Sequence, residues 1–205
     1  MDEQTAIWNR LISGPRAESL LDIVMWRVAC GLSSMVGRTI SNDTSRVERV
    51  PIARVATRAG DPETEMIGVY LVIKSGLRGQ AILILPLTSA LNLVDLLMEA
   101  PPGTATDLGL MERSALGEVG NLMVSYFLSA VADLSGKPRL LRPSPPAVMV
   151  DMLGAILDVI VTPVAAVRDD LLIVETAFKD AQGTAQARFW VLPDPVKLQI
   201  AATAR

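Results

Sequence analysis

The sequence predicts an α+β fold made of two related halves arranged about a pseudo-twofold axis. Apolar residues recur at helical spacing in the longer segments, short apolar runs bounded by turn residues fit strands, and the order of these segments occurs twice. The chain has 205 residues, of which 50% are apolar and 20% charged, so it can bury a large core. We therefore expect one domain, residues 1–205, built from two repeats.

The first repeat, residues 1–99, combines helices with a strand pair. Its second helix is indicated by apolar residues at helical spacing from Leu20 to Met35, and Gly37-Arg38 suits its end. The predicted elements, in order, are helices over 5–13 and 17–37, an extended stretch around 45–52, a loop at Gly60-Asp61-Pro62, strands over 66–73 and 79–85 joined by Lys74-Ser75-Gly76, and a helix from Leu87 to about Met98.

The second repeat, residues 105–205, follows a linker at 100–104 that is rich in turn residues. Pairing Gly37-Arg38 with Gly136-Lys137 relates the two halves at an offset of 99 residues. The predicted elements are a long helix to Leu134, a stop at Gly136-Lys137, a proline-rich stretch from Pro143 to Pro146, a helix over 153–161, strands over 170–178 and 186–192, and a last helix from Pro195.

One segment of the second repeat places four polar side chains on the same side of a helix. At 100° per residue, Ser114, Glu118, Asn121 and Ser125 fall within about 60° of arc. The other side is expected to anchor the helix through an apolar stripe of Met111, Ala115, Val119, Leu122, Met123, Tyr126 and Phe127. The polar stripe is therefore predicted to be presented at a surface.

Two glycines flank this stripe. Inside a helix, Gly117 and Gly120 each cost about 1 kcal/mol relative to alanine. Two interpretations are open. The glycines allow close packing against a neighbouring helix or sheet, or they allow the backbone of another protein to approach Glu118 and Asn121.

The composition excludes several kinds of active site. The chain contains no histidine, so a Ser-His-Asp triad is impossible and the commonest neutral metal ligand is missing. Its single cysteine, Cys30, can form neither an intrachain disulfide nor a zinc cluster, and its apolar helical surroundings predict a buried side chain. We expect Trp8, Trp26 and Trp190 to be core or partly buried residues.

The sequence also argues against binding to nucleic acid and insertion into a membrane. The net charge is -3, and the basic residues form no run or helical stripe. No N-terminal signal fits, since Asp2 and Glu3 replace a positive start. The most apolar region, 148–167, contains two aspartates and a proline, which makes it a poor membrane span. A cytoplasmic protein is expected.

The spacing of the polar stripe resembles a known signature. Ser114-x-x-x-Glu118-x-x-Asn121, followed about 22 residues later by Pro143 and Pro145, is similar to the motif of the CheC, CheX and FliY phosphatases of bacterial and archaeal chemotaxis. The helical run after Glu118 is especially similar to the second-site helix of CheC proteins, and the first half carries a degenerate version.

The resemblance implies a duplicated CheC-like fold with long active-site helices displayed on one surface. It also implies phosphatase activity. The substrate would be the aspartyl phosphate of a CheY-type response regulator. Asn121 would orient the attacking water, Glu118 would pair with the regulator's active-site lysine, and Ser114, Pro143 and Pro145 would shape the site. The chain would need no cofactor of its own, because the Mg²⁺ belongs to the regulator. CheD is a second candidate partner.

The first repeat lacks the paired motif. At the offset of 99, Glu118 corresponds to Ser19 and Asn121 to Asp22. The nearest analogue, Glu18 with Asp22, is expected to be an ordinary solvated helix face. We therefore expect one active site and a degenerate first site at Ser19 and Asp22.

Two other functions stay open at this stage. A binding module would hold phosphorylated CheY, or CheD, without catalysis. A structural protein of the flagellar switch would resemble the FliM middle domain, which shares the fold but lacks the paired motif. Without the resemblance, Glu118 would be interpreted as a surface residue that stabilises its helix; with it, the intact Glu118 and Asn121 favour the phosphatase.

Overall fold

The computed structural model describes residues 3–13, 16–43, 45–74, 77–135 and 143–194, with the backbone alone for 3–5 and 135. Three predicted features fall wholly or partly outside these ranges: the turn at Lys74-Ser75-Gly76, the helix stop at Gly136-Lys137 and the helix from Pro195.

The described helices and strands follow the predicted order. They are α1 (Glu3–Ile12), α2 (Ala17–Val36), β1 (Ile40–Asn42), β2 (Arg46–Pro51), a 3₁₀ turn (Ile52–Arg54), α3 (Val55–Ala59), β3 (Glu65–Ile73), β4 (Gly79–Pro86), α4 (Leu87–Leu97), α5 (Leu110–Ser135), β5 (Ala147–Met152), α6 (Leu153–Ala165), β6 (Asp170–Asp180) and β7 (Gln186–Pro193). The predicted helices and strands in these ranges are confirmed with shifted ends, and β1, the 3₁₀ turn, α3 and β5 are additional.

The strands form one antiparallel sheet that links the two halves of the chain. Its order is β1-β6-β7-β4-β3-β5, and β2 also pairs with β6. The hairpin β3–β4 of the first half receives β5 from the second, while β6–β7 receives β2 from the first. Between β2 and β5, each strand therefore has a counterpart in the other half: β2 corresponds to β5, β6 to β3 and β7 to β4. A twofold axis between β4 and β7 would require this arrangement. The internal duplication itself stays a prediction.

Helices cover both faces of this sheet. Because successive side chains of a strand point to opposite faces, one strand contributes residues to both cores. In β4, Ala81, Leu83 and Leu85 join a core formed with α1, α2, α4 and α5. Ile82 and Ile84 join the opposite core with α3 and α6. The protein thus has three layers, and both long helices, α2 and α5, lie on one face of the sheet.

The two long helices also contact each other in an antiparallel arrangement. A Cβ on Gly31 would lie 2.3 Å from the Tyr126 ring, so α2 approaches α5 closely at this point. Arg27, one turn before Gly31 in α2, forms an exposed ion pair with Asp133, two turns after Tyr126 in α5. The two helices therefore run in opposite directions. Gly37 caps α2 with φ 66°, a conformation suited to glycine, which confirms the predicted stop at Gly37-Arg38.

Among the described residues, two helical segments, Ala17–Val36 and Leu110–Leu134, are long and apolar enough to cross a membrane by length and composition. Both contribute buried residues to the core on the same sheet face. Core helices of soluble proteins pass the same test, so this is weak evidence for a membrane span.

Candidate functional site

Helix α5 has one face in the core and one in solvent, as the sequence predicts. Its buried face includes Leu116, Val119, Met123, Val124 and Phe127. On the opposite face, Ser114 and Glu118 are exposed and Asn121 is half-buried. The polar stripe is therefore accessible to another molecule.

Met111 corrects one part of this prediction, because it is 64% exposed and lies outside the core. It precedes Glu118 by seven residues, which is about 20° from two full turns. Met111 therefore shares the face of Glu118. It was predicted to belong to the buried stripe only because its side chain is apolar.

Within the part of the chain that the structure describes, the Glu118 carboxylate and the Asn121 carboxamide form no hydrogen bond or ion pair. The hydroxyl of Ser125 donates instead to the backbone carbonyl of Asn121, at 2.8 Å within the same helix. The carboxylate and the carboxamide are one turn apart on α5, and neither has a side-chain partner among the described residues.

Close packing explains both glycines of α5. A Cβ on Gly120 would lie 2.5 Å from Cγ1 of Val69 in β3, and one on Gly117 would lie 3.2 Å from Cγ of Pro146. The backbone of α5 therefore lies directly against the sheet and the proline-rich segment. Of the two interpretations of these glycines, packing within the fold is the one that the structure supports.

Substitution of Gly120 should therefore destabilise the fold. Gly120→Ala is expected to lower the free energy of unfolding by about 1–3 kcal/mol more than Gly117→Ala, because its methyl group enters the buried contact with Val69. Both variants gain the same helix propensity, so the difference isolates the steric cost. Urea unfolding would measure both, and equal stabilities would contradict this packing.

The proline-rich segment is held beside α5 by strand β3. Pro143 forms an isolated antiparallel bridge with Ile73. Ser144 donates its backbone N–H to the Val72 carbonyl at 2.8 Å, and its Oγ accepts the Val72 N–H at 2.9 Å. Pro143 is half-buried and Pro145 is exposed. The segment therefore has a fixed position next to the turn of α5 that contains Gly117.

The first-repeat positions lie on α2. Ser19 is exposed, while Asp22 accepts the backbone N–H of Ser45 at 3.0 Å. Ser45 is buried, and its Oγ accepts a hydrogen bond from the hydroxyl of Thr176 in β6 at 2.9 Å. Asp22 therefore anchors the segment that enters β2, which differs from the solvated helix face expected for it.

The exposed face of α2 also corrects two expectations. Trp26 is 60% exposed and Cys30 is exposed, whereas both were expected to be buried or partly buried. Trp8 and Trp190 are buried, as expected. At 100° per residue, Trp26 and Cys30 fall about 20° from Ser19 on either side, so they share its solvent face. Apolar residues occur on both the buried and the exposed side of α2, so its sequence pattern does not distinguish this face from the core.

Comparisons with known proteins find similarity to CheC proteins. A model of the CheC-like family matches residues 111–150, which include nearly all of α5 and most of β5. CheY-P phosphatase CheC of Bacillus subtilis (strain 168) is 26% identical over 170 residues, which cover 81% of this chain and 80% of that protein. The chain is therefore similar to CheC-like proteins in the region of α5 and, at lower identity, over most of its length.

Several solved structures share the fold of this chain. FliY of Thermotoga maritima is 22% identical, covers 96% of this chain and 92% of its own, and has a TM-score of 0.64. The match to the CheX–CheY–BeF₃–Mg²⁺ complex of Borrelia burgdorferi is 14% identical, covers 83% and 96%, and has a TM-score of 0.53. Similar structures also include FliM middle domains. At these identities the likeness concerns the fold.

The described residues contain no group of three or more His, Cys, Asp or Glu side chains that could hold a metal ion. A cavity of about 820 Å³ lies at the start of α2, with Ser19 and Ser45 in its wall. Neither Glu118 nor Asn121 lines it. Glu118 is exposed and Asn121 is half-buried, so both lie on the solvent-facing side of α5.

Proposed function

We propose that this CheC-like protein hydrolyses the aspartyl phosphate of a CheY-type response regulator. The observation that carries the proposal is the pair Glu118 and Asn121, which are one turn apart on the outward face of α5 and have no side-chain partners within the described residues. A CheC-like match that covers this helix, and a relative named CheY-P phosphatase, support the assignment.

Asn121 is proposed to orient the attacking water. An acyl phosphate is already activated, so an auxiliary phosphatase chiefly has to position water in line with phosphorus. The carboxamide oxygen of Asn121 can accept a hydrogen bond from that water, while its NH₂ group can donate to another oxygen. This role needs neither histidine nor a nucleophilic side chain.

Glu118 is proposed to fix the complex in register through an ion pair with the active-site lysine of the regulator. A charge pair that loses water at an interface can contribute several kcal/mol, whereas an exposed pair contributes little. Ser114, Pro143 and Pro145 are proposed to shape the contact surface. The Mg²⁺ that neutralises phosphoryl charge would be held by the regulator.

We further propose one active site and a cytoplasmic location. The second-repeat helix carries both motif residues, whereas in the first repeat Ser19 replaces the glutamate and Asp22 is bonded to Ser45. CheD stays a candidate second partner. The FliM-like neighbours fit the structural alternative in part, but Glu118 and Asn121 favour catalysis.

The single-site proposal predicts that Asp22 matters for stability alone. Asp22→Ala is expected to lower the free energy of unfolding by about 1–3 kcal/mol, because the Ser45 N–H loses a charged acceptor. Phosphatase activity per folded molecule should stay within twofold, and Ser19→Ala should change neither quantity. Urea unfolding and initial-rate assays would measure both effects. Loss of activity in folded Asp22→Ala would indicate a working first site.

A further inference from the structure

The start of α5 carries two large apolar side chains in solvent. Leu110 is 91% exposed and Met111 is 64% exposed, the two highest values among the exposed large apolar residues of the described chain. Most large apolar side chains of a soluble protein are removed from water, and adjacent exposed ones often indicate an interaction surface.

The chain before α5 is held in place, so these side chains project from an ordered support. The carboxylate of Asp95, itself 3% exposed, accepts the backbone N–H groups of Gly103, Thr104 and Ala105 at 2.6, 3.2 and 2.7 Å. The guanidinium of Arg113 donates to the Leu108 carbonyl at 2.9 Å. These bonds fix the linker and the first turn of α5.

Helix geometry places this apolar pair on the motif face. Leu110 precedes Asn121 by eleven residues, and Met111 precedes Glu118 by seven; each separation is within about 20° of a whole number of turns. The distances along the axis are about 16 Å and 10 Å at 1.5 Å per residue. Leu110 and Met111 therefore extend the face of Glu118 and Asn121 toward the N-terminal end of α5.

A protein seated on the motif would reach this pair. A standard interface buries about 800 Å² on each partner, which corresponds to a disc with a radius of about 16 Å. A disc centred on Asn121 therefore extends to Leu110. An interface centre is typically apolar, and the motif itself supplies polar and charged groups.

We propose that Leu110 and Met111 are the apolar contact that docks the receiver domain of the phosphorylated response regulator onto α5. The inference rests on the proposed function, because it gives the same substrate a second region of contact. The polar pair would act at the phosphoryl group while the apolar pair supplies affinity.

The exposed apolar residues of α2 offer a matched control. Ile23 and Trp26 are 45% and 60% exposed on the same layer of helices. The ion pair between Arg27 and Asp133 places them beside the C-terminal end of α5, away from Leu110. Removing them changes surface apolarity by a similar amount without touching the proposed contact.

The test compares Leu110→Ser/Met111→Ser with Ile23→Ser/Trp26→Ser in the full chain. Calorimetry would give the Kd for a CheY-type regulator activated with BeF₃⁻ and Mg²⁺, and initial rates on the phosphorylated regulator would give KM and kcat. We expect the α5 double variant to raise Kd and KM at least tenfold while kcat at saturation stays within threefold. The α2 variant should leave all three unchanged.

The outcomes separate docking from catalysis. Unchanged Kd and KM in a folded α5 double variant would overturn the docking proposal, and so would a wild-type protein that does not bind the activated regulator. If the wild-type protein binds without accelerating hydrolysis, the proposed function fails. A loss of that binding in the α5 variant alone would then still support the docking contact.

Discussion

Asn121→Ala is expected to reduce kcat for dephosphorylation of the regulator at least about 100-fold, because the water loses the group proposed to orient it. Removal of one positioned hydrogen-bonding group from an active site commonly costs about that much in rate. The loss should appear in kcat while KM and the Kd for the BeF₃⁻-activated regulator stay within about threefold. Stopped-flow or phosphate-release assays under saturating and limiting substrate would separate these quantities.

The control for Asn121 concerns both fold and chemistry. The side chain has no hydrogen-bond partner within the described residues, so the thermal midpoint of Asn121→Ala should match that of wild type. Asn121→Asp keeps the size but replaces the NH₂ group with charge, and it should be equally inactive. Ser129→Ala, on the exposed side of the same helix, should retain full activity. Rapid multiple turnover by folded Asn121→Ala would remove Asn121 from the mechanism.

Glu118→Gln is expected to lower kcat/KM at least tenfold, chiefly by raising KM. The substitution keeps the shape of the side chain and removes the charge that is proposed to pair with the regulator's lysine. A tenfold effect corresponds to about 1.4 kcal/mol, within the range for a partly desolvated ion pair. Initial rates across a range of regulator concentrations would give the separate changes in KM and kcat.

Salt provides the second measurement for Glu118. Wild-type KM should rise with ionic strength as the ion pair is screened, and this dependence should weaken in Glu118→Gln. Glu112→Gln removes the same charge from the first turn of α5, about 120° away from Glu118, and should leave KM unchanged. Identical kinetics for Glu118→Gln and wild type would support the interpretation of Glu118 as a surface residue that only stabilises its helix.

The sequence predicts most elements because their local signals agree. In α5, the buried positions from Leu116 to Phe127 and the exposed positions Ser114 and Glu118 follow one helical period. Strands β3 and β4 are apolar runs bounded by turn residues. These features depend on neighbours in sequence, so one chain is sufficient to indicate them.

Other features depend on residues far apart in sequence. Strand β5 follows prolines and leads directly into α6, and its pairing partner β3 lies in the other half of the chain. The bond from Ser45 to Asp22 depends on where β2 enters the sheet. Periodicity contains no information on either contact, which explains why β5 was not predicted and Asp22 was expected to be solvated.

The exposure of three apolar residues also differs from what the sequence predicts. Trp26, Cys30 and Met111 have the residue types of a core, yet helix geometry places them on solvent faces. For Met111, the angle to Glu118 was a signal within the sequence that could have identified the exposed position. For Trp26 and Cys30, the apolar composition of α2 concealed the boundary between its faces.

The most direct test of the proposed function is phosphate release from an excess of phosphorylated CheY-type regulator, with catalytic amounts of the wild-type protein and with Asn121→Ala in parallel. We predict many turnovers per wild-type molecule and a rate close to regulator autodephosphorylation for Asn121→Ala. Wild-type protein that binds the phosphorylated regulator without accelerating phosphate release would contradict the phosphatase proposal and favour a binding module.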